Sequence, residues 1–144
     1  MPNRPITALI AEQKVSVATP GSTVSEACAL MKANNVGAIP VVEKGRLCGI
    51  FTERDAVYRV IAQDLDPHAT RLDEVMTRAP QTITPDRPFG HALHLMYEGG
   101  FRHVPVVSGG KLVGMLSARD ALGADLTQFE SDMEEREHIA EILG

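Results

Sequence analysis

A chain of 144 residues, 44% hydrophobic and 23% charged, is one ordinary domain's worth of polypeptide, enough to bury a core without disulfide or metal staples. Its two cysteines, Cys28 and Cys48, sit in apolar runs without C-x-x-C spacing, as reduced thiols of a cytoplasmic protein would, and Ile6 to Ala11 is too short an apolar stretch for a signal core or a membrane span. The net charge of −5 is concentrated in seven acids between Asp125 and Glu141, set against Arg136 alone, so no basic stripe offers itself to nucleic acid.

In chain order, a short strand is expected over Val15 to Val17, closed by Thr19-Pro20, because proline does not continue a central strand. A helix follows, with Val24, Ala27, Cys28 and Met31 spaced three and four apart. Two β-rich runs, Ala38 to Val42 and Leu47 to Phe51, are joined by Glu43 to Arg46 and read as a hairpin. A second helix starts near Glu53 and runs to about Gln63, and Asp64 to Arg71, with Pro67, is the linker. The series then begins again: a strand at Thr82 to Ile83, and a helix with Phe89, Ala92, Leu93 and Met96 on one face. The strands His103 to Val107 and Lys111 to Leu116 flank Ser108 to Gly110, and a last helix starts near Ala118. Beyond it, Ala124 to Gly144 puts Leu126, Phe129 and Met133 on one helical side, followed by Ile139, Ile142 and Leu143. This segment is expected to pack as a helix on the module or on a second subunit.

The two series are copies. Ile39 to Asp55 recurs as Val104 to Asp120 at an offset of 65 residues without a gap, and Thr19-Pro20 falls on Thr84-Pro85 in the same register. The expected organisation is a first unit over 8–66, a second over 72–123 and an acidic helical tail over 124–144. The fold class is α/β, an α+β sandwich of two pseudo-twofold related βαββα units. One such unit, a three-stranded sheet with both helices on one face, leaves its other apolar surface open, and pairing the copies closes it.

Both copies end in the same pattern, Gly49-Ile-Phe-Thr52-Glu-Arg54-Asp55 and Gly114-Met-Leu-Ser117-Ala-Arg119-Asp120. Thr52 and Ser117 suit N-caps, with Asp55 and Asp120 completing a capping-box pattern. The same groups suit a ligand: N–H groups at a helix start, a hydroxyl and an arginine attract phosphate, and a carboxylate accepts both hydroxyls of a ribose. His91 and His94 are three apart on a helix but lack a third metal ligand, and no nucleophile stands beside a base, so neither a metal nor a catalytic site is expected.

In these motifs, twice in register and supported by Ile39-Pro40 and Val104-Pro105, the chain from about Val15 to Gly123 resembles the paired domains named after cystathionine β-synthase, the CBS pairs. The resemblance implies two clefts across a pseudo-twofold axis that hold an adenine nucleotide, AMP foremost, then ADP, ATP or NAD. It implies Asp120 on the ribose, Ser117 and Arg119 near the phosphate, Thr19 beside the adenine, and Val24 and Val36 lining the base slot, next to the strand Arg102, His103, Val104 and Pro105. By symmetry Thr52, Arg54, Asp55, Thr84, Phe89 and Phe101 build the second cleft with Gly37, Ala38, Ile39 and Pro40. Because Arg102-His103 stands where the first copy has Gly37-Ala38, the Asp120 cleft is expected to hold an anion better. The implied function is a non-catalytic, ligand-sensing regulatory module, a homodimer acting on an unidentified regulated protein. The alternative is a dimeric interaction scaffold without a physiological nucleotide. A dimer would cover helix faces such as Ala27, Leu30 and Met31.

Overall fold

The computed structural model describes residues 4–121, 132–139 and 142. A short helix α1 (Ile6–Ile10) precedes the first repeat, which comprises helix α2 (Val24–Asn34), strands β1 (Ala38–Glu43) and β2 (Arg46–Thr52), and helix α3. The last of these is α-helical over Glu53–Asp55 and winds on as a π-helix over Ala56–Ile61. A second short helix α4 (Leu72–Val75) and strand β3 (Thr77–Arg78) introduce the second repeat, with α5 (Phe89–Gly99), β4 (His103–Ser108), β5 (Lys111–Ser117) and a 3-10 turn over Ala118–Ala121. The two hairpins join in one sheet in the order β1-β2-β5-β4, touching at Arg46 and Lys111, and β3 pairs with β2 beside that contact.

The repeat in the sequence is a repeat in backbone chemistry. Both hairpins turn on two residues of positive φ, Lys44–Gly45 and Gly109–Gly110, the conformation whose twist matches that of the flanking strands. Both carry a bulge at the same step, Val41/Val42 and Val106/Val107. Pro40 and Pro105 sit in mid-strand without breaking the ladder. Each lies opposite a residue, Ile50 or Met115, whose backbone groups point to the other edge, and their own carbonyls accept from Ala18 and Ile83.

The short helices are exchanged between the repeats. Ile6, fully buried, packs with Phe89, Ala92, Val104 and Leu116 in the core of the second repeat. Leu72, Val75 and Met76 pack with Val24, Ala27, Val41 and Phe51 in the core of the first. Matched backbone bonds fasten each: Phe89 N–H to Arg4 O at 2.9 Å, and Val24 N–H to Thr70 O at 2.9 Å. This exchange accounts for the glycine that opens each motif. A Cβ at Gly49 would lie 2.6 Å from the Met76 sulfur and 2.9 Å from the Thr77 carbonyl, and one at Gly114 would lie 2.6 Å from Ile10. The segment entering from the other repeat needs that space.

Three local expectations change. Val15 to Val17 is not a strand, and the pairing at that end of each repeat is a single parallel bridge, Ala18 to Val41 and Ile83 to Val106. With so few residues at the sheet's end, no ladder builds up. Ala27 and Met31 are buried within their own repeat, leaving Leu30 as the exposed residue of the expected dimer face. Residues 132–139 are helical and each is exposed, so none of them enters the core of its own module. Leu126 and Phe129 lie outside the described residues.

Candidate functional site

Two clefts open where the repeats face each other, and each is built around the end of a hairpin strand. The Asp120 cleft encloses about 710 Å³ and the Asp55 cleft about 860 Å³, within the range of small-molecule sites.

At the end of β2 the capping box is closed. Thr52 N–H donates to Asp55 Oδ2 at 3.0 Å and Asp55 N–H donates to Thr52 Oγ1 at 3.1 Å. The other carboxylate oxygen faces Arg59 Nε at 3.4 Å, and Asp55 is buried. Arg59 is itself engaged, donating through Nη1 to the carbonyls of Val75 (3.2 Å) and Met76 (3.0 Å), which ties α3 to α4. Arg54 stacks on the Tyr58 ring, 5.0 Å from its centroid.

At the end of β5 the arrangement is more open. Ser117 N–H donates to Asp120 Oδ2 at 2.7 Å, the Ser117 hydroxyl is 3.5 Å from the same oxygen, and Asp120 is half-buried. Among the described residues no cation pairs with Asp120 and nothing engages its second oxygen. The residue in register with Arg59 is Ala124. The first box is closed on itself, whereas among the described residues the second is held by Ser117 alone and Asp120 lines a cavity.

Of the residues assigned from sequence to the Asp120 cleft, Val36, Arg102, His103, Ser117, Arg119 and Asp120 do line it. Val24 and Val104 belong to the two cores, Pro105 is buried in β4, and Thr19 lies on an exposed turn with its hydroxyl 3.0 Å from that of Ser22. In the Asp55 cleft the structure brings together Gly37, Thr52, Arg54, Asp55 and Phe101. Ala38 lines the Asp120 cleft instead, Ile39, Pro40 and Phe89 are buried, and Thr84 bonds Asp86. Arg102 and His103, which the sequence reading gave to one cleft, border both, as Gly37 and Glu53 do, because they stand near the pseudo-axis between them.

Burial holds the His103 imidazole below its ordinary range, with Arg102 acting the same way and Glu53 and Asp120 opposing. Both cysteine thiols are pushed up, chiefly by burial, and neither is activated as a nucleophile. Sequence reasoning missed Arg4, Gln13, Tyr58 and Arg59. The four-residue spacing from Asp55 to Arg59 was a readable signal. Arg4 and Gln13 lie ahead of the repeat register and left none.

A duplicated unit that shares one sheet and faces its copy across paired clefts defines a tandem repeat module. The chain belongs to the CBS domain family, whose model matches residues 8–62 and 72–127. It is 39% identical over 107 residues to the CBS domain-containing protein YhcV of Bacillus subtilis, covering 74% of this chain and 76% of that one. A CBS domain-containing protein of Arabidopsis thaliana is 36% identical over 121 residues; these span 83% of this chain but only 23% of the plant protein. Among solved structures, one from Burkholderia ambifaria, described as a signal-transduction protein with CBS domains, superposes with a TM-score of 0.79 at 30% identity, covering 85% of this chain and 94% of that one. A CBS domain protein of Pyrobaculum aerophilum complexed with AMP gives 0.74 at 27% identity, covering 87% and 98%. Among the described residues, no helix is long and apolar enough to cross a membrane.

Proposed function

We propose that this chain is a regulatory module that senses an adenine nucleotide, AMP foremost and ADP, ATP or NAD after it, in the Asp120 cleft. The observation that carries this reading is the Asp120 carboxylate: the residue lines the cleft, one oxygen is anchored on Ser117 N–H, and the other has no partner among the described residues. A ribose supplies the two hydroxyl donors that such an acceptor takes. Arg4, Arg102 and Arg119 border the same cavity and balance a phosphate. The AMP complex of the Pyrobaculum relative lends support.

Signalling requires the ligand to prefer one arrangement of the two repeats, since equal affinity for both shifts nothing. The clefts lie between the repeats, so a ligand there touches both. We propose a homodimer as the output element, formed on the apolar residues that α3 leaves exposed, Val57, Tyr58 and Ile61, rather than on Ala27 and Met31.

Thermal-shift screening tests the reading. AMP in hundredfold excess over its Kd stabilises the fold by about 2.7 kcal/mol, whereas GMP and UMP at the same concentration do less. A midpoint unmoved by every adenine nucleotide overturns it.

A further inference from the structure

The edge of β5 that faces the Asp120 cleft is not bare. Gln13 lays its carboxamide along it: Nε2 donates to Met115 O at 2.8 Å, and Met115 N–H donates to Oε1 at 2.8 Å. Only one orientation of the amide makes both bonds, so its donor and acceptor are assigned. Two residues further along the same edge, Ser117 N–H holds Asp120. Same-side residues of a strand are about 6.7 Å apart, comparable with the span from the ribose hydroxyls to the far edge of a nucleoside's base.

The equivalent edge in the other cleft is closed differently. Ile50, in register with Met115, is paired through its backbone to Thr77 of β3. Opening that edge means peeling off a strand whose neighbour Met76 is part of the core. Opening the edge at Met115 needs only a side-chain rotation, because Gln13 is exposed and follows α1 without belonging to it. The two clefts thus differ in whether a strand edge can be offered to a ligand at all.

We propose that Gln13 is an internal stand-in for the base, occupying a donor–acceptor edge at Met115 that the amino edge of adenine takes over when nucleotide binds. The inference rests on the nucleotide reading above and adds to it a residue that sets the affinity of the base edge. A primary carboxamide and the N6/N1 edge of adenine present the same pair, an N–H donor beside an acceptor in one plane. The incoming base therefore replaces bonds already made rather than adding new ones. Gln13 lowers the affinity of the cleft for any occupant that needs the Met115 edge, and it stays in place against one that cannot match both bonds.

Calorimetric titration of AMP and of N6,N6-dimethyl-AMP into the full chain and into Gln13→Ala and Gln13→Met tests this. Both variants bind AMP roughly tenfold more tightly than the parent chain, since the competing pair of bonds is gone. The dimethyl analogue, which has no N6 donor to take Met115 O and so leaves Gln13 in place, gains less in the same variants. In the parent chain, the amide signals of Met115 and of the Gln13 side chain shift together on addition of AMP, a measurement that needs no variant to fold. AMP affinity unchanged or weakened in both variants, or Gln13 side-chain signals that stay put while AMP binds, overturns the role of Gln13 and leaves the nucleotide reading standing. AMP bound by none of the three chains overturns the nucleotide reading itself, and this inference with it.

Discussion

Asp55 faces Arg59 at 3.4 Å across one turn of α3, whereas Asp120, its counterpart in the second repeat, has no cation partner among the described residues. The two motifs are near-copies in sequence, and among the described residues this one pairing sets their carboxylates apart. The proposed nucleotide reading takes the first as a structural element and the second as an acceptor for a ligand's donors.

The matched substitutions Asp55→Asn and Asp120→Asn follow from that difference. Asp120→Asn is expected to weaken AMP by about 1.5–3 kcal/mol, the worth of hydrogen bonds to a charged group, and to leave the ligand-free melting point almost unchanged. Asp55→Asn is expected to do the opposite, costing about 1–2 kcal/mol of stability with AMP affinity retained. Calorimetry and urea denaturation of both chains decide it, and equal losses of affinity would show that the clefts are equivalent.

The exchanged helices make a prediction about folding. Ile6 belongs to the core of the second repeat and Leu72 to that of the first, so Ile6→Ala and Leu72→Ala should each cost about 2–4 kcal/mol. Hydrogen exchange should place the Ile6→Ala loss in β4 and β5, far along the chain from the substitution. Loss confined to the first repeat would refute the exchange.

The motif glycines are expected to resist the smallest change. Gly114→Ala would drive a methyl into Ile10, and Gly49→Ala would drive one into Met76 and the Thr77 carbonyl. Each should destabilise by about 1–3 kcal/mol through overpacking, the second more, because a backbone atom yields less than a side chain. Chemical denaturation midpoints give the order.

His103 sets a pH dependence of known sign. Its folded pKa lies below the unfolded value because burial disfavours the imidazolium, so the unfolded chain binds the proton more readily. The stability it contributes is complete above the unfolded pKa, about 6.5, and is lost as pH falls toward the folded value. The groups facing it are Glu53, Arg102 and Asp120. His103→Gln should flatten the denaturation free energy between pH 7 and pH 5, and an unaltered slope would assign that dependence to other groups.

If the apolar residues of α3 form the dimer, Ile61→Asp, a change at a residue 73% exposed in the single chain, should yield a monomer by light scattering. An unchanged molecular mass would move the interface elsewhere.

What the sequence determined by itself was what repeats locally. The in-register copies, the two hairpins, and the buried stripe of Val24, Ala27 and Met31 are all set by neighbours a few residues apart, and periodicity reports them. It also marked Asp55 and Asp120, each of which lines one of the two clefts. Only the tertiary structure decided where α1 and α4 belong. Helices of five and four residues are too short to leave a periodic signature, and their cores are supplied by the other repeat. The same exchange explains the motif glycines, carries Gln13 to the edge of β5 and Arg59 to the carbonyls of Val75 and Met76, and makes two similar strand ends unlike. Those contacts join segments distant in the chain, so their physical cause is packing between the repeats, which no window of sequence contains.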